Sequence, residues 1–331
     1  MRWRRNFLLF ITLAAAAASP ALGQTVKSGV GPAGGVTNGA TSIPNFSRIW
    51  LHPAFPWFEP PASGPGPVTN RSRWPQAAGD GVGGSLGLPP LPPGVEGVSD
   101  YDQLVGDYTN PILQPWAADV VKKFGQMSIA GIVYGNPSNQ CWPMPVPFIY
   151  KQFAVEIIQQ PDTVVLIYTA PSTDVRRVRL NAQHPSPLTP SWYGDSVGHY
   201  EGDTLVIDTV GVKPDRPYAM IDLFGTPYTK SLHIVERFRL REYDDVKDAI
   251  ARNKKENWLF NGDIFSNHRG KFLQLHLTIE DEGVFTTPWT ATLTYVPGPD
   301  VMSESVCAEN LHQYYYDQSD TNAPHAEKPD F

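Results

Sequence analysis

The strongest candidate for chemistry is a glutamate within an apolar run. In the segment 232–240, alternate residues share one face of an extended strand, and Glu236 lies in the middle of that face. Its neighbours on the face are Leu232, Ile234, Phe238 and Leu240. A carboxylate in such a position must be protonated or paired, because an isolated buried charge is very costly. Glu236 is therefore either a general acid or base, a ligand anchor, or half of a structural ion pair with a nearby arginine of 176–179.

A second carboxylate poses the same question on another strand-like segment. Asp208 alternates with Val206 and Val210 in the segment 204–210. If this segment pairs with 232–240, we expect Asp208 and Glu236 to converge inside the sheet. Two carboxylates in one apolar cavity are a common acid and base arrangement. The candidate catalytic set is therefore Glu236, Asp208 and His233.

The other histidines and several aromatic residues are candidates for binding. His184 opens a proline-rich loop and, with Trp192 and Tyr193, can line the mouth of a barrel, where rings with one polar edge suit amphiphilic ligands. The alternative for these three is ordinary loop packing. The full set of candidate ligand-binding residues is His184, Trp192, Tyr193, His199, Arg237 and Trp289. No two histidines have the spacing of a zinc motif, and no dinucleotide or phosphate fingerprint occurs, so the sequence identifies neither a metal nor a cofactor.

The amino terminus predicts export. A basic head, an apolar run over 7–18 and a small-residue triplet at 21–23 are typical of a signal peptide over 1–23. The expected location is the periplasm or the exterior of the cell. Cys141 and Cys307 are the chain's two cysteines, and in an oxidising compartment their simplest role is one disulfide bond.

Charge and hydropathy exclude two classes of partner. The net charge is −7 and the lysines and arginines are scattered, which argues against a nucleic-acid partner because that requires a concentrated basic face. The apolar run at the amino terminus is shorter than the roughly 20 residues of a membrane helix, and no later stretch approaches that length. We therefore expect no membrane span.

From residue 153 onward the apolar pattern has a period of two, which predicts strands. The predicted strands are 153–159, 163–169, 176–180, 197–201, 204–210, 232–240, 272–279 and 290–296. Tight turns such as 160–162 favour antiparallel neighbours. A meander of about eight strands avoids unpaired edges most simply by closing into an up-and-down barrel, whose interior is filled by side chains or holds one small ligand.

The strands are expected to lie in a barrel domain over 99–331, after an extended arm over 24–98. The arm is rich in glycine and proline and packs through apolar islands, of which Trp50 and its neighbours can form a short strand. Apolar residues recur every four positions from Ile112 to Phe124, which predicts a helix that Gly125 ends.

A second helix is predicted within an insertion over 241–270, capped by Asp244 or Asp245. The insertion is either a lid over the barrel mouth or a cover on the barrel surface.

The run 192–211 resembles the signature "SVG-x-WEGDTLVVDT" of a large group of secreted bacterial proteins that has no assigned activity. The pair His184-Pro185, the run 235–238 and the triplet 288–290 match further motifs of that group, and the likeness covers roughly residues 100–310. The resemblance implies no reaction, so it assigns no catalytic residue. The segment 201–209 is also similar to lipocalin-like barrels, which implies a lipocalin-like fold and a hydrophobic ligand.

Three functional hypotheses follow from the sequence. The first is an extracytoplasmic barrel that binds a small hydrophobic or aromatic molecule. The second is a secreted lyase, isomerase or hydrolase on the same barrel, with its carboxylates and histidine in the cavity. The third is a structural subunit of an envelope complex held by the long arm.

Overall fold

The computed structural model describes residues 43–52, 105–129, 134–151, 154–169, 173–255, 267–302 and 304–307. These residues all belong to one compact unit, Gly35–Phe331. The predicted signal peptide and most of the predicted arm lie outside the described residues. Within the described ranges, no helix combines the length and the apolar character that crossing a membrane requires.

Nine strands close into one barrel, as the pattern predicted in outline. They are β1 (Arg48–Leu51), β2 (Ala154–Gln159), β3 (Thr163–Thr169), β4 (Asp174–Leu180), β5 (Asp195–Glu201), β6 (Thr204–Val210), β7 (His233–Arg241), β8 (Phe272–Glu280) and β9 (Trp289–Pro297). Each strand pairs with the next, and β9 pairs with β1. The eight strands predicted after residue 153 are therefore present, and β1 from the amino-terminal arm is the ninth.

The expectation of a purely antiparallel sheet is wrong, because β4 and β5 are parallel, with Val178 opposite Ser196 and Leu180 opposite Gly198. A parallel pair needs a connection that returns along the whole strand, which takes a dozen or more residues. Residues 181–194 supply it and are called the crossover below. This connection is much longer than a tight turn such as 160–162, and its length is the sequence signal for the parallel pair.

The two helices lie around the barrel. Helix α1 (Pro115–Ile129) has a proline at its first position and continues through Gly125. The predicted end at Gly125 is wrong, because this glycine serves a close approach instead: an added Cβ would lie 3.0 Å from Cγ1 of Val105. Helix α2 (Tyr243–Lys255) lies within the predicted insertion.

Helix α2 covers the outer surface of the barrel. Its Val246 and Ile250 pack against Phe272 and Val296. The register places Leu273 opposite the inward Leu240, so the adjacent Phe272 faces outward. Of the two roles expected for the insertion, the described part fits a surface cover.

The inside of the barrel is packed with side chains. Phe46 lies at the end near the β2–β3 turn, where its backbone amide donates to Gln159, and Phe46, Trp50 and Phe238 are each no more than 2% exposed. One turn of 3₁₀ helix, Phe148–Lys151, enters from the other end and buries Phe148, Ile149 and Tyr150. A side chain that lines a water-sized cavity keeps accessible area, so these values indicate a filled interior around the described residues.

Candidate functional site

The glutamate singled out by the sequence is at the centre of the barrel. Glu236 of β7 is fully buried and forms two hydrogen bonds with Arg176 of β4, from Nη1 to Oε1 at 3.0 Å and from Nη2 to Oε2 at 2.7 Å. Arg176 is itself 2% exposed. A paired, two-point contact of this kind satisfies both buried charges. The structural ion pair, one of the roles open from the sequence, is what the structure contains.

Hydroxyl groups complete this central network. Tyr150 donates to Oε1 of Glu236, and Arg176 also donates to the hydroxyls of Tyr168, Ser196 and Thr209, at 3.2 Å each. Burial raises the pKa of Tyr168 to about 12 and that of Tyr150 well above its usual value. Both phenols are therefore neutral at any physiological pH.

The expected convergence of Asp208 and Glu236 is wrong. The register of β6 and β7 pairs Glu236 with Ile207 and Asp208 with Val235. Paired residues point to the same face of a sheet and their sequence neighbours to the other. Asp208 therefore lies on the outer face, and alternation alone could not say which face of β6 is inside.

Asp208 joins two of the predicted histidines on that outer face. Its Oδ1 lies 3.0 Å from Nε2 of His184, and its Oδ2 lies 3.1 Å from Nε2 of His233. His184 belongs to the crossover, whereas Asp208 and His233 belong to neighbouring strands. The site therefore links the crossover to the barrel wall.

Further charged groups extend this row at both ends. Nδ1 of His184 lies 2.6 Å from Oδ1 of Asp195, which Arg179 contacts at 2.8 Å. At the other end, Nδ1 of His233 lies 3.4 Å from Oε2 of Glu280. The outer charge chain is thus Arg179, Asp195, His184, Asp208, His233 and Glu280. Asp195 and Glu280 lie at strand ends, where polar residues are ordinary, so no sequence pattern marks them as site residues.

Electrostatics favour the charged forms of Asp208 and His233. The hydrogen bond from His233, followed by that from His184, holds the pKa of Asp208 below its ordinary value despite partial burial. The same bond to Asp208 raises the pKa of His233. His233 thus favours the imidazolium form, which can donate a proton.

A crevice of about 340 Å³ opens beside His233 at the end of the barrel where β7 begins and β8 ends. Its lining residues are Ser231, His233, Glu280, Asp281, Glu282, Phe285, Thr286, Thr287 and Pro288. The carboxylate of Asp281 is engaged within the protein, because it accepts hydrogen bonds from the backbone amide and the hydroxyl of Thr229. The remaining surface combines the His233 imidazole, carboxylates, hydroxyls, Pro288 and a small exposed part of Phe285.

The predicted aromatic mouth is a separate arrangement. Trp192 stacks on Trp142 at 5.3 Å and lies under the guanidinium of Arg216 at 4.4 Å. The hydroxyl of Tyr193 donates to Asp174, which lies at the start of β4. Neither ring has a described contact with His184, and these contacts are those of packed loops.

The remaining predicted binding residues are dispersed. His199 is on the outer face. Among the described residues, its one side-chain hydrogen-bond partner is the exposed Glu201, at 2.9 Å. Arg237 also faces outward, opposite His276, whereas Trp289 faces inward and is 2% exposed. Of the six, His184 alone joins the outer charge chain.

The disulfide prediction is confirmed. Cys141 and Cys307 are bonded, with their Cα atoms 5.5 Å apart. Among the described residues, no group of three or more histidine, cysteine, aspartate or glutamate side chains is arranged to hold a metal ion.

Comparison with known proteins adds no assignment. No family model matches the sequence, and no curated protein matches it either. The function must therefore be argued from the site itself.

Proposed function

We propose that this protein is an extracytoplasmic small-molecule-binding protein whose ligand occupies the crevice beside His233. The observation that carries the proposal is that His233 and Glu280 belong both to the lining of this crevice and to the outer charge chain. A volume of about 340 Å³ suits a small molecule, and the ion pairs hold His233 and Glu280 in place before a ligand arrives.

The lining defines the ligand class. Pro288 and the small exposed part of Phe285 offer apolar surface to an aromatic or other hydrophobic body, while Glu280, Glu282 and Thr287 add polar groups to the lining. The packed interior around Arg176 and Glu236 favours this outer site over the cavity inside the barrel that the sequence suggested. The proposed ligand is therefore a hydrophobic or aromatic molecule with one polar or cationic end.

The test begins with mass spectrometry of molecules that copurify with the protein from its own envelope. The molecule found is then titrated into the wild type, into Thr287→Trp, which fills the crevice, and into Val175→Trp. Val175 is an exposed residue of β4 outside the crevice lining and is the matched control. We expect at least tenfold weaker binding for Thr287→Trp alone. Equal binding by all three proteins would place the ligand elsewhere.

A second candidate function is acid and base catalysis in the same crevice by a lyase, isomerase or hydrolase. The observation that favours it is the position of His233, whose two ring nitrogens face Asp208 and Glu280. An imidazolium beside a carboxylate supplies a proton donor and an acceptor at one place, and a positioned group of this kind contributes about 10²–10⁴-fold to a rate.

This candidate is tested with the copurified molecule as substrate. His233→Gln is expected to lower kcat by at least a hundredfold with little change in KM, whereas His199→Gln, an exposed histidine outside the site, leaves kcat unchanged. Turnover that survives in His233→Gln refutes the catalytic role of His233. If the wild type binds the molecule without turning it over, the catalytic function is refuted and only the binding function remains.

A further inference from the structure

The lining of the crevice beside His233 has more acidic than basic groups. Glu280, Asp281 and Glu282 each bring a carboxylate to it, whereas His233 brings the one basic side chain of the lining. Both ring nitrogens of His233 already face carboxylates, at 3.1 Å from Asp208 and 3.4 Å from Glu280. Even as an imidazolium, His233 therefore cannot balance all the carboxylates around it.

Lysine and arginine side chains do not supply the missing positive charge. In the part of the chain that the structure describes, the carboxylates that pair with lysine or arginine are all other residues. They are Asp195, Asp203, Glu236, Glu242, Asp244 and Asp245. Glu282 is exposed, and its hydrogen bond within the same ranges is made by its backbone carbonyl, which accepts from Gln114. The lining thus carries a net negative charge.

The carboxylate of Asp281 is held in one position. It is 2% exposed and accepts hydrogen bonds from the amide and the hydroxyl of Thr229, at 2.6 Å each, and from the amide of Gly283 at 3.2 Å. These donors satisfy the carboxylate but carry no formal charge. Because a partly enclosed site has a lower effective dielectric constant than water, a charge there acts on a ligand more strongly than it would in bulk solvent.

We propose that the crevice selects a cationic ligand, an organic ammonium ion whose charged end pairs with Glu280 and Glu282 and whose apolar body contacts Pro288. This inference rests on the proposed binding function and names the charge class of its ligand. An ammonium group has three N–H donors, which the two carboxylates and the hydroxyl of Thr287 can accept. A neutral hydroxyl in the same place leaves the carboxylates uncompensated, and an anion meets like charges.

The crevice makes this surface a binding site, which acidic residues alone would not. Its volume of about 340 Å³ gives an organic body room beside the charges, and Pro288 and the exposed part of Phe285 give that body apolar contacts. A bare metal ion uses neither feature. Among the described residues, no group of acidic, histidine and cysteine side chains is arranged to hold one. The ligand class is therefore an organic cation.

Three probes with the same aromatic ring test the charge preference. Benzylamine, benzyl alcohol and benzoate carry a cationic, a neutral and an anionic end at pH 7. Each is titrated into the isotope-labelled wild type, and chemical shifts of the amides of 280–288 and of the His233 ring give the Kd. We expect benzylamine to bind roughly tenfold more tightly than benzyl alcohol, and benzoate to bind more weakly than both. Added salt should narrow the difference between the amine and the alcohol.

Variants of the two exposed glutamates then assign the preference to the lining. In Glu280→Gln and in Glu282→Gln, benzylamine is expected to lose affinity while benzyl alcohol keeps its own, a ratio that a loss of stability alone would not change. The matched control is Glu201→Gln, an exposed glutamate outside the crevice, which keeps the preference of the wild type.

The possible failures point to different conclusions. Equal affinity for the amine and the alcohol, both lost in Thr287→Trp, overturns the charge preference and leaves the small-molecule site standing. A preference that survives in both glutamine variants also overturns it, as does a failure of benzylamine to bind at millimolar concentration. Binding of the probes that is unchanged in Thr287→Trp removes the crevice as the site, and the proposed function falls with it.

Discussion

The central network allows a sharp test of what Glu236 does. Replacing Glu236 with glutamine keeps the size and shape of the side chain but removes its charge. Arg176 then remains buried at 2% exposure without its counterion, and Tyr150 loses a charged acceptor. Breaking a buried ion pair by removing one partner costs about 3–5 kcal/mol. At about 2–4 °C per kcal/mol for a domain of this size, we expect Tm to fall by roughly 6–20 °C.

Denaturant unfolding, followed by fluorescence and circular dichroism together, measures this loss. The matched control is Arg239→Gln, which breaks the exposed pair between Arg239 and Asp203 and is expected to cost at most about 1 kcal/mol. The double variant Glu236→Gln with Arg176→Met removes the unpaired cation as well, so it should be more stable than the sum of the single changes by at least about 1 kcal/mol. A Glu236→Gln protein as stable as the control would refute the ion-pair assignment.

Three further predictions concern other parts of the fold. Replacing Cys141 and Cys307 with serine opens a loop of 166 residues and should lower the free energy of unfolding by up to about 5 kcal/mol, measured by the denaturant midpoint. Gly225→Ala should lower the free energy of unfolding by more than about 2 kcal/mol, because the φ of Gly225 is +78° and an added Cβ would lie 2.1 Å from Phe124. The control Gly202→Ala, with a φ of +60° and open space around it, should cost about 1 kcal/mol. Thermal melts of the two variants measure the difference. The raised pKa of His233 stabilises the fold at low pH, and this stability is lost as pH rises through the pKa of His233 in the folded protein. The lowered pKa of Asp208 gives stability that is lost as pH falls through the pKa of Asp208 in the folded protein. The denaturant midpoint should therefore be highest between these two pKa values, and its decline at alkaline pH should be smaller in His233→Gln.

The strands were predictable because their side chains alternate. β3 and β6 have the predicted bounds, and the other strands after residue 153 begin or end within two residues of them. The parallel pairing of β4 and β5 was not predictable from alternation, which is the same in either direction. The placement of β1 between β2 and β9 depends on contacts across more than a hundred residues, which no local pattern records.

The candidate site was only partly visible in the sequence. His184, Asp208 and His233 were singled out, and the structure brings them together, but alternation could not tell which face of β6 turns inward. The buried position of Glu236 followed from its apolar neighbours. Its partner Arg176 was one of several nearby arginines, and only the closure of the barrel selects it.

The way the barrel closes bears on how the chain reaches its native state. β1 lies early in the sequence, yet its Leu51 pairs with both Ala154 and Val296, so it cannot find both partners until the carboxyl-terminal strands have been made. Closing contacts between such distant parts of a chain is slow. Until β1 inserts, β2 and β9 present free edges to other chains, and such edges invite aggregation. Insertion of β1 between β2 and β9 is thus expected to be the last and rate-limiting step of folding.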